Sequence, residues 1–238
     1  MKAMILAAGE GRRMCSDLPK PLHEINGLCL IEHRILALAA SGVKDIIINL
    51  HHKAEQIQQR LGDGRQYGVN IVYSLEKTLL KTGGGIVNAL PLLGDDIFIV
   101  VNADVWTDYD FRQLSLSSNA LAHIVLVDNP EHNPQGDFCL YANGRVSQVC
   151  QHRLTFSGIS LMTSAFFEGS PAEPFALGEW FNHQINRELV TGEHYQGLWV
   201  DVGTPLRLDF VQAIASQQIS LKKAVGHDIL LGNYFSDF

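Results

Sequence analysis

Short continuous apolar runs and amphipathic segments alternate along the first half of the chain. Apolar-rich segments, typical of buried parallel strands, cover residues 4–8, 43–50, 69–73, 97–101 and 121–127, and the second of them contains the run Ile46-Ile47-Ile48. Residues 30–41 and 53–61 place apolar side chains at helical spacing, and the first of these helices is expected to end before Gly42. Because strands alternate with helices, the pattern predicts an α/β fold, a Rossmann-like, mostly parallel sheet flanked by helices, with ligands at the carboxyl ends of the strands.

The pattern changes after Pro130. Short hairpin-like pieces at residues 138–141 and 146–150, joined by Asn143-Gly144, predict a small β-rich lobe at about residues 130–155 within a main domain of residues 1–215. Beyond the lobe, we expect a strand over residues 155–159, a helix over 176–191, a strand over 195–200 and a helix from Pro205 that Thr204 caps. Residues 216–238 form an apolar-rich tail, too short for another domain.

Composition narrows the class of protein. The chain has 238 residues, of which 46% are hydrophobic, enough for one sizeable core. A net charge of −7 without a basic run argues against nucleic acid as a partner. No apolar run approaches the ~18 residues of a membrane span and no signal-peptide core is present, so we expect a cytoplasmic protein without a membrane partner. The sequence does not indicate the oligomeric state.

The four cysteines bear on the cellular compartment. Cys15, Cys29, Cys139 and Cys150 form no CxxC pair. We therefore expect neither zinc ligation nor a disulfide framework, and interpret all four as free thiols of a reducing compartment.

The first candidate site follows the first predicted strand. Gly9 and Gly11 let the backbone approach a ligand closely and turn successive N–H groups toward one point, which suits phosphate oxygens. Arg12, Arg13 and Lys20 add positive charge, and Lys20 lies on a stiff loop between two prolines. Dinucleotide and P-loop fingerprints are excluded because their further glycine and lysine positions are not matched. An ordinary strand and turn with surface cations is the competing interpretation.

Two carboxylates are expected at the same edge of the sheet. Five apolar residues, 97–101, lead to Asp104, and the strand predicted over residues 195–200 ends just before Asp201. Two carboxylates with open positions suit Mg²⁺, which completes its octahedron with water and phosphate oxygens. Taken singly, Asp104 is also compatible with a cap of the following turn.

Glycines mark two further positions. Thr82-Gly83-Gly84-Gly85 predicts a loop before a helix over residues 86–90, whose exposed N–H groups suit a flat ring or an anion. A plain flexible loop is the alternative. Gly158 permits close approach of a ligand, or serves only packing.

These segments together resemble the signature of the sugar-1-phosphate nucleotidyltransferases. The chain reads LAAGEGRR at residues 6–13, PK at 19–20, NAD at 102–104 and WVDVGT at 199–204, where the family has LAAGxGxR, PK, NxD and WxDxGT. The resemblance covers about residues 1–215 and implies the GT-A-like nucleotidyltransferase fold, with the small lobe contacting the sugar. The TGGG sequence at residues 82–85 resembles that of the branch of the family that transfers uridylyl groups to cell-wall amino sugars.

The resemblance also implies roles for individual residues. Lys20 and Arg13 are the expected catalytic residues, and Asp104 and Asp201 are the expected Mg²⁺ ligands. The nucleotide is expected to contact Leu6, Ala7, Ala8, Gly9, Gly11, Thr82, Gly83, Gly84 and Asn102. The sugar is expected to contact Gly136, Asp137 and Gly158.

The implied reaction transfers a nucleoside monophosphate from a nucleoside triphosphate to a sugar 1-phosphate and releases pyrophosphate. UTP and N-acetylmuramic acid 1-phosphate, in cell-wall sugar recycling, are the expected substrates. Two departures keep base and sugar open: the short loop at residues 14–19, and Leu79, which stands about where N-acetylglucosamine 1-phosphate uridylyltransferases use a glutamine. The alternatives are N-acetylglucosamine 1-phosphate with UTP, mannose 1-phosphate with GTP, cytidylyl transfer to a non-sugar phosphate, and a non-catalytic sugar-nucleotide sensor.

Overall fold

A computed structural model of the chain describes residues 1–225. Its strands are β1 (Lys2–Leu6), β2 (Glu24–Ile25), β3 (Leu28–Cys29), β4 (Asp45–Leu50), β5 (Asn70–Leu75), β6 (Phe98–Asn102), β7 (Val105–Thr107), β8 (Ala122–Val127), β9 (Cys139–Leu140), β10 (Val146–Ser147), β11 (Thr155–Met162), β12 (Val190–His194) and β13 (Trp199–Asp201). Its α-helices are α1 (Leu30–Ala40), α2 (Ala54–Leu61), α3 (Lys81–Leu93), α4 (Leu177–Ile185) and α5 (Pro205–Val225). Short 3₁₀ turns include Arg12–Met14 and Lys20–Leu22.

One seven-stranded sheet organises these elements, in the order β12-β8-β11-β6-β1-β4-β5. Neighbouring strands are parallel except β11, which runs antiparallel to both β6 and β8. The predicted α/β fold with a mostly parallel sheet is therefore confirmed. In this register Leu6 at the end of β1 lies opposite Asn49 of β4 and Asn102 of β6, so the carboxyl ends of these three neighbouring strands form one level edge.

Alternation along β1 explains why both faces of the sheet are covered. Ala3 and Ile5 are buried on the side where Ile31 and Ile35 of α1 pack. Met4 is buried on the opposite side, in the cluster that includes residues of α3 and α4. The near-continuous apolar run of β1 follows from this burial on both faces.

The start of α3 corrects one prediction. Residues 81–85, expected as a glycine-rich loop, form the first turns of the helix. The glycines are required by close packing: a Cβ on Gly83 would collide with the ring of Phe175, and one on Gly85 would lie 2.7 Å from both Nδ2 of Asn49 and Oε1 of Glu76. Tertiary contacts thus override the low helix propensity of glycine here.

The region before α5 differs from a second prediction. The helix predicted over residues 176–191 ends at Ile185, and Val190–His194 form β12, which pairs in parallel with β8. The strand predicted over residues 195–200 is the shorter β13. As an edge strand, β12 satisfies its backbone N–H and C=O groups by hydrogen bonds to the sheet, whereas in the longer helix they would have bonded within the helix.

The segment predicted as a small lobe contains the β9–β10 hairpin, in which Leu140 lies opposite Val146 and Cys139 opposite Ser147. The prediction that all four cysteines are free thiols is wrong for two of them. Cys139 and Cys150 form a disulfide, with their Cα atoms 6.0 Å apart, because the hairpin folds the chain back on itself. Cys15 and Cys29 are free thiols, as expected.

Helix α5 starts at Pro205, as predicted, and the backbone N–H of Arg207 points to Oγ1 of Thr204 at 3.4 Å. The helix continues past residue 215, and residues 226–238 of the predicted tail lie outside the described part of the chain. Among the helices within residues 1–225, none has the length and apolar character needed to cross a membrane.

Candidate active site

A cavity of about 230 Å³ opens at the carboxyl ends of β1 and β6. The N-terminal loop forms one wall, and the segments after β6 and β13 form the other. Its lining comprises Leu6, Ala7, Gly9, Gly11, Arg12, Arg13, Lys20, Pro21, Ala103, Asp104 and Gly203. The motif segments that the sequence separates by up to two hundred residues therefore share one cavity.

The N-terminal loop folds back on itself to place Lys20. Gly11 has φ +62°, a left-handed conformation that favours glycine, and leads into the 3₁₀ turn Arg12–Met14. A Cβ on Gly11 would lie 3.0 Å from Cβ of Lys20, so the absent side chain lets the two parts of the loop meet. Pro19, with φ −54°, introduces the second 3₁₀ turn, which begins at Lys20.

Lys20, Asp104 and Asp201 converge at the centre of this edge. The Lys20 ammonium donates a hydrogen bond to Oδ2 of Asp104 and lies 3.7 Å from Oδ1 of Asp201. The side chain of Lys20 is only 12% exposed, so water screens these charges less than at the surface. The structure thus brings together the lysine and both aspartates that the sequence singles out.

Strand pairing explains how the two aspartates meet. β13 pairs antiparallel with β7, with Asp201 opposite Val105, the residue that follows Asp104. The backbone N–H of Val202 also donates to the carbonyl of Asp104 at 2.9 Å. This small β-ribbon carries both carboxylates to the same point beyond β6.

Two further groups at the site were missed from the sequence. Nη1 of Arg207 lies 3.2 Å from Oδ2 of Asp201, and Nε2 of His132 lies 3.4 Å from the same oxygen. Arg207 is in the first turn of α5, directly after the WVDVGT motif, so its position near that motif could have identified it as a site residue from the sequence. His132 lies on the connection from β8 into the small lobe, and no local pattern marks it.

The imidazole of His132 lies against the guanidinium of Arg207. Nη1 of Arg207 is 2.8 Å from both Nδ1 and Nε2 of His132. Partial burial lowers the pKa of His132, and the positive charges of Arg207 and Arg13 lower it further. Two cations, Lys20 and Arg207, lie beside Asp201.

The predicted nucleotide contacts divide into two groups. Leu6, Ala7, Gly9 and Gly11 line the cavity, whereas Ala8 is buried beside it. Thr82, Gly83 and Gly84 are engaged within the protein: the N–H groups of the two glycines donate to the carbonyl of Phe175 at 3.0 and 3.3 Å, and Oγ1 of Thr82 accepts from Leu177. Asn102 ends β6 and packs against Gly158.

The predicted sugar contacts lie where the lobe joins the sheet. Oδ1 of Asp137 accepts from Nδ2 of Asn133 at 3.1 Å, and Oδ2 accepts from the backbone N–H of Phe156 at 2.8 Å. Gly136 and Gly158 have φ +63° and +80°. Both glycines are tightly packed, Gly158 against Asn102 at the strand pair β11–β6. The carboxylate of Asp137 thus ties the lobe to β11.

The arrangement is suited to phosphate chemistry. Arg12, Arg13 and Lys20 supply positive potential for anions in the cavity, and the carboxylates of Asp104 and Asp201 lie next to Lys20. Among the described residues, no group of three or more histidine, cysteine, aspartate or glutamate side chains is placed to hold a metal ion by itself. A cation at this site would share its coordination with a bound ligand.

Comparison with known proteins places these features in a family. Residues 2–150 match the nucleotidyl transferase family. The chain is 44% identical to N-acetylmuramate alpha-1-phosphate uridylyltransferase of Neisseria meningitidis over 90% of its own length and 98% of that protein. It is 31% identical to mannose-1-phosphate guanyltransferase of Yarrowia lipolytica, covering 94% of this chain and 66% of the relative.

A solved structure agrees in fold. The inositol-1-phosphate CTP transferase from T. maritima superposes with a TM-score of 0.76 at 17% sequence identity, covering 91% of this chain and 95% of the other. The family match over most of the chain and the high identity to a full-length relative lead to one conclusion. This chain belongs to the nucleotidyl transferase family.

Proposed function

We propose that this protein transfers a uridylyl group from UTP to N-acetylmuramic acid 1-phosphate and releases pyrophosphate, in cell-wall sugar recycling. The observation that carries the reaction type is the convergence of Lys20, Asp104 and Asp201 beside the glycine loop. The choice of base and sugar rests on the relative from Neisseria meningitidis, which is 44% identical over 98% of its length. We place the reaction in the cytoplasm, where nucleoside triphosphates are available.

The reaction joins two anions, so charge neutralisation and alignment matter more than a base. A phosphate oxygen of the sugar 1-phosphate attacks the α-phosphorus of UTP, and the bond to the β-phosphate oxygen breaks as pyrophosphate leaves. We assign the backbone N–H groups of Gly9 and Gly11, with the guanidinium of Arg13, to the β- and γ-phosphates, because these three residues line the cavity. Lys20 is positioned to neutralise charge that develops on the α-phosphate.

Mg²⁺ fits the residues at this site. The ammonium of Lys20 already lies between Asp104 and Asp201, so both carboxylates are oriented toward a single positive charge. Oxygen ligands of this kind, few in number and completed by phosphate and water, are what Mg²⁺ prefers. When bound, Mg²⁺ would supply charge neutralisation on the triphosphate, with Asp104 and Asp201 as its protein ligands. We propose Mg²⁺ as the cofactor on this ground.

The remaining contacts belong to the same proposal. We assign Leu6, Ala7, Ala8, Asn102 and the start of α3, with Thr82, Gly83 and Gly84, to the nucleotide. We assign the lobe junction, with Gly136, Asp137 and Gly158, to the sugar. The N–H groups of Gly83 and Gly84 are occupied by Phe175, so their part in the site is to shape its wall rather than to donate hydrogen bonds.

Guanylyl transfer to mannose 1-phosphate is the second candidate. The Yarrowia lipolytica relative supports it, with 31% identity over 94% of this chain. The presence of Leu79, instead of a polar side chain that could read uracil, also leaves the base open. The two candidates share a mechanism and differ only in base and sugar.

A substrate panel tests the proposal. Pyrophosphate release would be measured with Mg²⁺ and each pair of UTP, GTP, CTP or dTTP with the 1-phosphates of N-acetylmuramic acid, N-acetylglucosamine and mannose. We expect release with UTP and N-acetylmuramic acid 1-phosphate above all other pairs. Release only with GTP and mannose 1-phosphate would select the second candidate. Nucleotide binding with no release from any pair would indicate a sensor instead of an enzyme.

A further inference from the structure

A buried carboxylate lies behind the nucleotide loop without a cation beside it. Glu76 follows β5, and only 6% of its surface is exposed. Its Oε1 accepts from Nδ2 of Asn49 at 2.7 Å, and its Oε2 accepts from the backbone N–H of Leu80 at 2.9 Å. Within residues 1–225 no lysine, arginine or histidine forms an ion pair with it. Burying an ionised carboxylate is costly unless hydrogen bonds or dipoles offset the lost hydration, so these contacts matter for its placement.

Asn49 connects this carboxylate to the nucleotide loop. Its side chain is buried at the end of β4, and its Oδ1 accepts from the backbone N–H of Ala7 at 3.0 Å. The carboxylate of Glu76 only accepts hydrogen bonds, so it requires the amide nitrogen of Asn49 to face it. The amide oxygen must then face Ala7, which lines the cavity. Glu76 therefore determines the orientation of the group that holds the loop.

Glu76 also contacts the residue that precedes α3. Leu80, which donates to Glu76, immediately precedes the helix, and negative charge near a helix N-terminus is favourable. Gly85 leaves room for the contact, since a Cβ there would lie 2.7 Å from both side chains. Through two side chains, the loop after β1 is linked to the start of α3.

We propose that Asn49 and Glu76 act as a positioning pair that sets the spacing between the loop at Ala7 and the start of α3, the two segments that the proposed function assigns to the nucleotide. The inference rests on the proposed function, because it takes both segments as parts of the nucleotide site. Neither side chain lines the cavity, so the pair acts through the backbone it holds. Its loss should weaken nucleotide binding more than it slows turnover of bound substrates.

An exchange of the two side-chain types tests the pair. In Glu76→Gln an amide N–H group is forced against another donor, either of Asn49 or of Leu80. In Asn49→Asp two carboxylates face each other. In the double variant N49D/E76Q every hydrogen bond can re-form: the introduced carboxylate accepts from Ala7 and from the introduced amide, whose oxygen accepts from Leu80. We expect each single variant to raise the Kd for UTP by about tenfold, the scale of one hydrogen bond to a charged group, and the double variant to restore it.

The readout is equilibrium titration of the full-length protein with UTP and with GTP, without sugar phosphate, beside KM, kcat and thermal unfolding. Glu32→Gln is the matched control. Glu32 is also buried and accepts from Arg60, Tyr67 and Cys29, none of which lines the cavity. We expect it to lower the melting temperature without changing the Kd for nucleotide. A shift in KM without a matching loss of kcat would likewise separate positioning from general destabilisation.

The outcomes separate this inference from the proposed function. If the wild type binds UTP or GTP while both single variants bind it equally well, the positioning role is overturned and the proposed function stands. Single variants that bind weakly with no recovery in the double variant also overturn it. A wild type that binds neither nucleotide overturns both proposals. If a single variant does not fold, recovery of wild-type affinity in the double variant still supports the pair.

Discussion

Nη1 of Arg207 lies 3.2 Å from Oδ2 of Asp201, the oxygen opposite the one that Lys20 approaches. The side chain of Arg207 is 17% exposed, and the same nitrogen donates to His132. One carboxylate is thus held from two sides by two cations of the same chain. Arg207 is in a position to orient Asp201 toward the cavity, as outer hydrogen bonds orient ligands at other metal sites.

This contact predicts a metal-linked defect in Arg207→Met. Without the guanidinium, Asp201 loses the group that orients it, so we expect the Mg²⁺ concentration for half-maximal activity to rise about tenfold, the lower end for loss of an outer partner of a ligand. Arg207→Lys should show a smaller rise. Arg112→Met is the control, because Arg112 pairs with Asp110 and does not line the cavity. Equal Mg²⁺ requirements in wild type and Arg207→Met would contradict the prediction.

Lys20→Ala tests the lysine itself. We expect kcat to fall by roughly 10²–10³, the scale of losing one preorganised donor, since Lys20 is the partly buried cation at the centre of the site. The measurement is steady-state pyrophosphate release. Lys44→Ala, which removes a lysine just before the amino end of β4, should retain normal turnover. Near-normal kcat in Lys20→Ala would show that the lysine is not part of the chemistry.

Removal of divalent metal should abolish turnover. If Asp104 and Asp201 hold Mg²⁺, chelation with EDTA should stop pyrophosphate release and excess Mg²⁺ should restore it. Asp104→Asn should respond to Mg²⁺ only at higher concentration, because one anionic ligand is lost. Binding of Mn²⁺, followed by electron paramagnetic resonance in wild type and variant, gives a readout independent of activity. Full turnover in EDTA would exclude the proposed metal.

Gly158→Ala is expected to destabilise the protein. The residue has φ +80°, and a Cβ there would lie 2.5 Å from Nδ2 of Asn102. The backbone strain alone costs about 1–2 kcal/mol, and displacement of Asn102 adds to it. Urea unfolding measures the change. Gly178→Ala, in α4 with no heavy atom within 4 Å of its Cβ position, should instead be neutral or stabilising by about 0.5 kcal/mol. Similar behaviour of the two variants would contradict the role assigned to Gly158.

The cysteines should differ in reactivity. Cys15 is exposed, whereas burial raises the pKa of Cys29 to about 12, with a further contribution from its hydrogen bond to Glu32, so its thiol stays protonated. We expect iodoacetamide to label Cys15 alone in native protein purified without reductant, Cys15 and Cys29 after denaturation, and all four cysteines after reduction. Mass spectrometry of peptides identifies the sites. Labelling of Cys139 or Cys150 before reduction would contradict the disulfide.

Local sequence determined the parts of the site that depend on one segment of chain. The turn at Gly9 and Gly11 follows from residue types that only a tight loop accommodates, and it lies after β1 as predicted. Asp104 could be placed because it follows β6, and parallel strands present their carboxyl ends at a common edge. Asp201 reaches the same point on the antiparallel pair β7–β13, which the sequence did not predict. Apolar segments identified β1, β4, β5, β6 and β8, since burial on both faces leaves little choice of residue. The edge strand β12 has no such segment, and its start was predicted as helix.

Tertiary structure alone decided what depends on contacts between distant segments. The register of β4 with β5, and the packing of α3 beside them, bring Asn49 to Glu76. A buried carboxylate has no local signature, because its stability depends on donors supplied by other elements. From the sequence, the glycines at the start of α3 predict a loop. In the structure they are helical because Phe175 packs against them. Sequence thus specified local conformation and polarity, and the packing of distant elements specified which polar groups meet.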